Sequence, residues 1–312
     1  MEKTQTSINF IMKFHENNIY IKREDLNYLP FGGNKVRKLE LFLADAKNKN
    51  ANYIVTYGAA QSNHCRLTVS MAKKFGFNVL LILANTDEIN YNGNFLIYDL
   101  YDTEIIWTET NEVPEIIEKT LQRLRDNGNK PYFIQGGGHG DLGTHAYKLV
   151  FDEILMQEKY FNVKFDHIFH ASGTGTTQAG LIAGNVVNRC DKDIIGISVA
   201  RNAKRGSEVV RESIQSYLEN YYSSYAGTPY KLQFLDEYVG AGYADIYPEI
   251  IETIKDVIKN TGIILDPVYT GKAFYGMIET ILQQNIKNKS ILFIHTGGTP
   301  LLFNYAEKFK AR

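Results

Sequence analysis

The chain has 312 residues, with 34 Lys+Arg against 35 Asp+Glu and a formal net charge of −1. That length suggests about two domains and a core that needs no covalent staples, and the charge balance excludes a partner held mainly by counterion release, such as a nucleic acid. The two cysteines, 65 and 190, have no metal-ligand or C-x-x-C spacing and read as reduced thiols of a cytoplasmic protein. The longest apolar runs, such as Val79 to Ala84, fall far short of the roughly 18 residues of a membrane span, and Met1 to Thr6 lacks the apolar segment of a signal peptide.

Taken in chain order, short apolar runs alternate with amphipathic stretches. Strand-like Tyr53 to Tyr57 runs into Gly58-Ala-Ala-Gln-Ser-Asn63. A helical period over Leu67 to Phe75 ends at Gly76, and Asn78 to Leu83 is the next strand. Helices are expected over Phe95 to Leu100 and Glu112 to Arg125, around a strand at Glu104 to Trp107. Strand Pro131 to Gln135 precedes the glycine run Gly136 to Gly140, and Leu142 to Lys159 is helical. His167 to His170 leads into Ser172-Gly-Thr-Gly-Thr-Thr-Gln178, then a helix over Ala179 to Val187 and a strand over Ile194 to Val199. Glu249 to Lys259 is helical with Gly262 as its stop, and Ser290 to His295 is a final strand before Thr296-Gly-Gly298. Recurring strand, glycine-rich turn and helix predict an α/β fold with mostly parallel sheets flanked by helices. Ligands bind beyond the carboxyl ends of such strands, which selects loops 58–63, 136–140, 172–178 and 296–299.

Gly173 to Gln178 is the sharpest element. It follows a strand and opens a helix, so backbone N–H groups converge at the positive helix end, with Ser172, Thr174, Thr176 and Thr177 as further donors. The arrangement suits a phosphate; its alternative is an ordinary tight turn. In Phe31-Gly-Gly-Asn-Lys35, Asn34 can cap a helix that begins near Lys35. A lysine at a helix start is opposed by the dipole, and burial would depress its pKa further, favouring the neutral amine that forms Schiff bases. The bland alternative for Lys35-Val-Arg-Lys38 is a solvated helix face. Ser62 is an N-cap candidate beside Gln61, Asn63 and His64, and Tyr269-Thr270 precede a helix start. The histidines show no zinc spacing, and no G-x-S-x-G elbow exists. A lysine, a phosphate cradle and hydroxyl-rich loops together suggest pyridoxal 5′-phosphate (PLP).

Six segments, Ile21 to Asp25, Gly32 to Glu40, Gln61 to His64, Gly173 to Gly180, Leu265 to Lys272 and His295 to Gly298, together resemble the PLP-dependent family of D-cysteine desulfhydrase and 1-aminocyclopropane-1-carboxylate (ACC) deaminase. The resemblance implies the tryptophan-synthase β-like fold (fold type II). A small domain, expected at 45–148, is inserted into a larger one formed by 1–44 and 149–312. The cofactor lies in the cleft between them, and homodimers are usual. By the same resemblance Lys35 is the lysine bonded to the cofactor, Asn63 meets its phenolic oxygen, and Gly173, Thr174, Gly175, Thr176 and Thr177 hold its phosphate, with Asn34 and Ser172 alongside. Thr270 and Thr296 fall at the pyridine ring. Ser62, Tyr243 and Tyr269 join Lys35 as catalytic groups, and Gln61, Ser62, Asn63, His64 and His139 face an amino-acid substrate.

Position 270 divides the family. ACC deaminases carry Tyr-Glu-Gly there, whereas this chain has Tyr269-Thr-Gly271, as D-cysteine desulfhydrases do. A carboxylate at the pyridine nitrogen makes a strong electron sink, which opening the ACC ring requires; a hydroxyl suffices where the substrate has an acidic α-hydrogen and a good β-leaving group. The expected reaction is therefore α,β-elimination of D-cysteine to pyruvate, hydrogen sulfide and ammonia. ACC deamination, L-cysteate sulfo-lysis and β-replacement are the alternatives, together with a PLP-binding protein without turnover.

Overall fold

Two sheets organise the computed structural model, which describes residues 5–84 and 91–310. In chain order the elements are β1 (Ile8–Phe14), β2 (Asn17–Lys22), α1 (Asn34–Asn48), β3 (Tyr53–Ala59), α2 (Asn63–Lys74), β4 (Asn78–Ala84), α3 (Gly93–Leu100), β5 (Glu104–Thr108), α4 (Val113–Asp126) and β6 (Pro131–Ile134). They continue with α5 (Asp141–Phe161), β7 (His167–Ser172), α6 (Thr176–Val187), β8 (Asp193–Ser198), α7 (Ala203–Tyr221), β9 (Gln233–Leu235), α8 (Pro248–Thr261), α9 (Thr270–Gln283), β10 (Ser290–Ile294) and α10 (Pro300–Asn304). The larger sheet has the order β1-β2-β10-β7-β8-β9 and the smaller β5-β4-β3-β6. Every described strand pair is parallel except the β1–β2 hairpin.

The central strands are apolar at consecutive positions because both faces are covered. In β7, β8 and β10, Ile168, Ile194, Leu292 and Ile294 pack toward α5, α6 and α7, while Phe169, Ile195, Ile291 and Phe293 pack toward α8 and α9. The smaller sheet repeats the pattern, with Ile54, Val79 and Leu81 on one side and Val55, Leu80 and Ile82 on the other. Its strands lie between residues 53 and 134. Residues 44 and 148, at which the sequence reading divides the chain, fall inside helices α1 and α5. No described helix is long and apolar enough to cross a membrane.

Two helices begin earlier than their periodicity suggests, α2 at Asn63 and α6 at Thr176, because each opens directly on its glycine-containing turn. The β1–β2 hairpin and α7 are additions. The hairpin turns through His15 and Glu16, both at positive φ, and so carries no glycine signal. In α7 the buried positions Gly206, Val209, Ser213 and Tyr217 hold the helical spacing inside a polar sequence.

The solvated-face reading of Lys35 to Lys38 fails. Arg37 is 8% exposed and Lys38 fully buried. Arg37 pairs with Glu24 at 2.8 Å and with Glu153 at 2.9 Å, and Lys22 reaches Glu153 at 2.7 Å. Two cations and two anions thus close a buried network that ties α1 to β2 and α5. Burial raises the Glu24 carboxyl, but the Arg37 charge and hydrogen bond more than offset it and leave Glu24 below the usual range. Removing one member strands its partners. Glu153→Ala is expected to cost about 3–5 kcal/mol in urea unfolding, whereas Glu115→Ala, which removes an exposed i,i+4 pair with Lys119, leaves the midpoint unchanged. Equal effects would contradict the assignment.

Candidate active site

The carboxyl ends of β3, β6, β7, β8 and β10 converge on one cavity of about 340 Å³. Lys35 lines it from the start of α1. The approach to Lys35 is tight: Gly33 has φ 141°, a Cβ there would sit 2.6 Å from the Thr296 carbonyl, and Asn34 N donates to that carbonyl at 3.0 Å. Gly33 and Gly297 form an isolated bridge, which locks the lysine turn to the loop after β10. Gly33, not Asn34, is the N-cap residue. Asn34 occupies the first helical position instead, and its Nδ2 donates to Thr177 Oγ1 at 3.1 Å.

The segment Gly173 to Gln178 folds as an open turn into a helix start. Gly175 is left-handed, φ 91°, and α6 starts at Thr176. No described group accepts from the N–H groups of Thr174, Gly175, Thr176 or Thr177. Thr176 itself faces Lys38, whose Nζ donates to its Oγ1 at 2.6 Å, so a second amine stands directly behind the loop.

Burial lowers the Lys35 amine to about 8. Lys38 is also held well below the ordinary range, by burial and then by the Lys35 charge. The cavity lining contains Lys35 and Arg201 and no Asp or Glu. An open helix N-terminus, two amines and no acid suit a ligand with an anionic phosphate at one end and an aldehyde within reach of Lys35. PLP is such a molecule.

Ser62 caps α2 by accepting from Cys65 N at 3.3 Å and also lines the cavity. Asn63 lines it too, its Oδ1 accepting from Asn94 Nδ2 at 2.9 Å. Thr56 Oγ1 gives its hydrogen to the Ile134 carbonyl at 2.7 Å, so His64 Nε2, 2.9 Å away, is the donor to Thr56. His64 Nδ1 is then a bare, buried acceptor without a partner. Burial, followed by the charges of Lys35 and Lys38, keeps this ring neutral. The ring can accept a hydrogen bond but cannot donate one to a substrate carboxylate. Tyr243 and Tyr269 share a 2.7 Å hydroxyl–hydroxyl bond at the cavity. Burial raises Tyr243 to about 12 and Tyr269 well above the ordinary range, so both stay protonated.

The structure therefore brings Asn34, Lys35, Ser62, Asn63, His64, Ser172, Gly173, Thr174, Gly175, Thr177, Tyr243, Tyr269 and Thr296 to one cavity. Four expected residues lie outside its lining. Gln61 is occupied with Asn92 and Asn94. His139 turns its Nδ1 to the Thr174 carbonyl at 3.3 Å. Thr176 is the Lys38 partner. Thr270 is buried and spends its hydroxyl on Asp266, donating to Oδ1 at 2.7 Å and accepting from the Asp266 N–H at 2.9 Å. Tyr57, Arg201 and Lys38 are additions. Arg201 follows β8 and donates to the Gly173 carbonyl; the strand-end rule applied to β8 would have found it.

A family model described as "Pyridoxal-phosphate dependent enzyme" matches residues 4–297. A D-cysteine desulfhydrase of Yersinia pestis is 38% identical over 294 residues, 92% of this chain and 88% of that protein. A Pyrococcus furiosus protein provisionally named as an ACC deaminase is also 38% identical, over 93% of this chain and 87% of its own. The crystal structure of an ACC deaminase homologue superposes with TM-score 0.88 at 35% identity, covering 98% of this chain and 93% of that one. A hydrogen sulfide-producing enzyme of Fusobacterium nucleatum shares the fold, with TM-score 0.68 at 15% identity over 96% of each chain. On this fold, this cavity and these matches, the chain belongs to the pyridoxal-phosphate-dependent enzymes, in the group that contains D-cysteine desulfhydrases and ACC deaminases.

Proposed function

We propose that the protein eliminates thiol from D-cysteine, giving pyruvate, hydrogen sulfide and ammonia with one water consumed, as a cytoplasmic homodimer. The observation that carries this reading is the Tyr243–Tyr269 pair in the cavity of Lys35: one basic amine and one protonated phenol pair are what removal of an α-proton and departure of a β-thiolate require. When bound, PLP supplies the electron sink for the carbanion.

The Lys35 amine, lowered to about 8, accepts the α-proton on Nζ. Tyr243 and Tyr269 share one hydroxyl–hydroxyl hydrogen bond; the phenol that accepts in it keeps its own hydrogen for the leaving sulfur. The Ser62 hydroxyl, whose oxygen caps α2, has its hydrogen available for the substrate carboxylate. The provisional name of the Pyrococcus relative supports ACC deamination as a second reading.

Keto-acid release from D-cysteine, L-cysteine, L-cysteate, ACC and D-serine separates these readings. D-Cysteine is expected to be turned over fastest; release from ACC alone would overturn the proposal. Lys35→Ala is expected to abolish both the visible cofactor band and pyruvate formation in a folded protein, and surviving turnover would contradict it. The lowered amine also predicts that PLP capture by the apoprotein accelerates roughly tenfold per pH unit below about pH 8 and then levels off. A rate that climbs steadily to pH 10 would show an ordinary, solvated lysine.

A further inference from the structure

The contribution of Asn63 to the cavity depends on which end of its amide faces inward, and its neighbours decide this. Arg66 Nε donates to Asn94 Oδ1 at 2.7 Å. A guanidinium has no acceptor, so Asn94 must present its oxygen there. Asn94 Nδ2 then gives one hydrogen to the Gln61 carbonyl at 2.8 Å and the other to Asn63 Oδ1 at 2.9 Å. A carbonyl has no hydrogen to give, so the Asn94 amide is held from both sides. With its oxygen committed to Asn94, Asn63 has only Nδ2 left for the cavity. Reversing it would set two NH2 groups against each other.

Arg66 is 2% exposed. Its remaining bonds go to the carbonyls of Pro30 at 3.3 Å and Phe31 at 2.5 Å, and no described carboxylate pairs with it. The titratable groups facing it are the phenols of Tyr98 and Tyr101, and burial lowers it only to about 10, so it is charged at neutral pH. A full positive charge therefore lies two hydrogen bonds behind the cavity wall. The same guanidinium grips the two carbonyls that immediately precede the glycine pair leading to Lys35.

We propose that Arg66 and Asn94 are positioning residues. Through Asn94, Arg66 fixes Asn63 as a hydrogen-bond donor toward the phenolic oxygen of the bound cofactor and polarises that donor with its own charge. The proposal rests on PLP occupying the cavity on Lys35 and on Asn63 meeting its phenolic oxygen; it does not depend on which amino acid is the substrate.

The test uses holoenzyme without substrate, reading the pH midpoint of the visible cofactor band and PLP retention on dialysis. A donor at the phenolic oxygen favours its anion, so losing the donor raises the midpoint. Asn94→Leu is expected to raise it by about one pH unit and to weaken PLP retention about tenfold. Added to Asn63→Ala, the same substitution is expected to change nothing more, because its effect runs through Asn63. An unchanged midpoint despite a lower melting temperature would make the pair merely structural and overturn the proposal, as would an equal shift with and without Asn63. If Asn94→Leu does not fold, Asn94→Ser, too short to bridge Arg66 and Asn63, is read in the same way. A wild type that shows no cofactor band would instead overturn the assignment of Lys35, and loss of D-cysteine turnover alone would leave the relay standing.

Discussion

An amine held in a cavity that contains no acid is the constraint around which this molecule is built. Lys35 and Arg201 line the cavity, Lys38 stands behind it, and no Asp or Glu belongs to the lining. Such an excess of positive groups is unfavourable until an anion arrives. The open N-terminus of α6 adds to the same field. The larger framework answers by holding each group from outside the cavity. The Glu24–Arg37–Glu153–Lys22 network fixes α1 from behind, while the Gly33–Gly297 bridge fixes its first turn from the front.

Depressed amine basicity alone does not distinguish Lys35 from Lys38 on α1. Burial lowers Lys38 as well, yet its Nζ is engaged with Thr176 and it does not line the cavity. Position decides: Lys35 is one residue into the helix, where the chain is pinned against the strand-end loop, and Lys38 is one turn further along α1, beneath the cradle. The spacing of three places both amines on one side of α1, Lys35 lining the cavity and Lys38 reaching Thr176 behind the Gly173–Thr177 loop.

Much of this was legible in the residues. Parallel βα units follow from the alternation of apolar runs and glycine turns, and the cradle follows from Gly173 to Gln178, because local backbone geometry dictates both. What the one-dimensional pattern hides are choices made by distant partners. Asn34 has the side chain of a cap but serves as a tether to Thr177. Thr270 is drawn into Asp266 rather than the cavity lining. His139 sits in a glycine loop at a strand end, yet turns toward the Thr174 carbonyl. Lys38 reads as solvated because helix spacing says which residues share a face, not what covers that face; here Thr176 and the Gly138 loop cover it. Arg66 was invisible as a functional group for the same reason, since its partners come from α3 and the 30–31 turn.

The central claim is that one of two neighbouring lysines on α1 carries the cofactor. Borohydride reduction of the holoprotein followed by peptide mapping tests it directly. The account predicts the phosphopyridoxyl mass on Lys35 alone, with Lys38 unmodified. Recovery of the label on Lys38, or on neither residue, would contradict it.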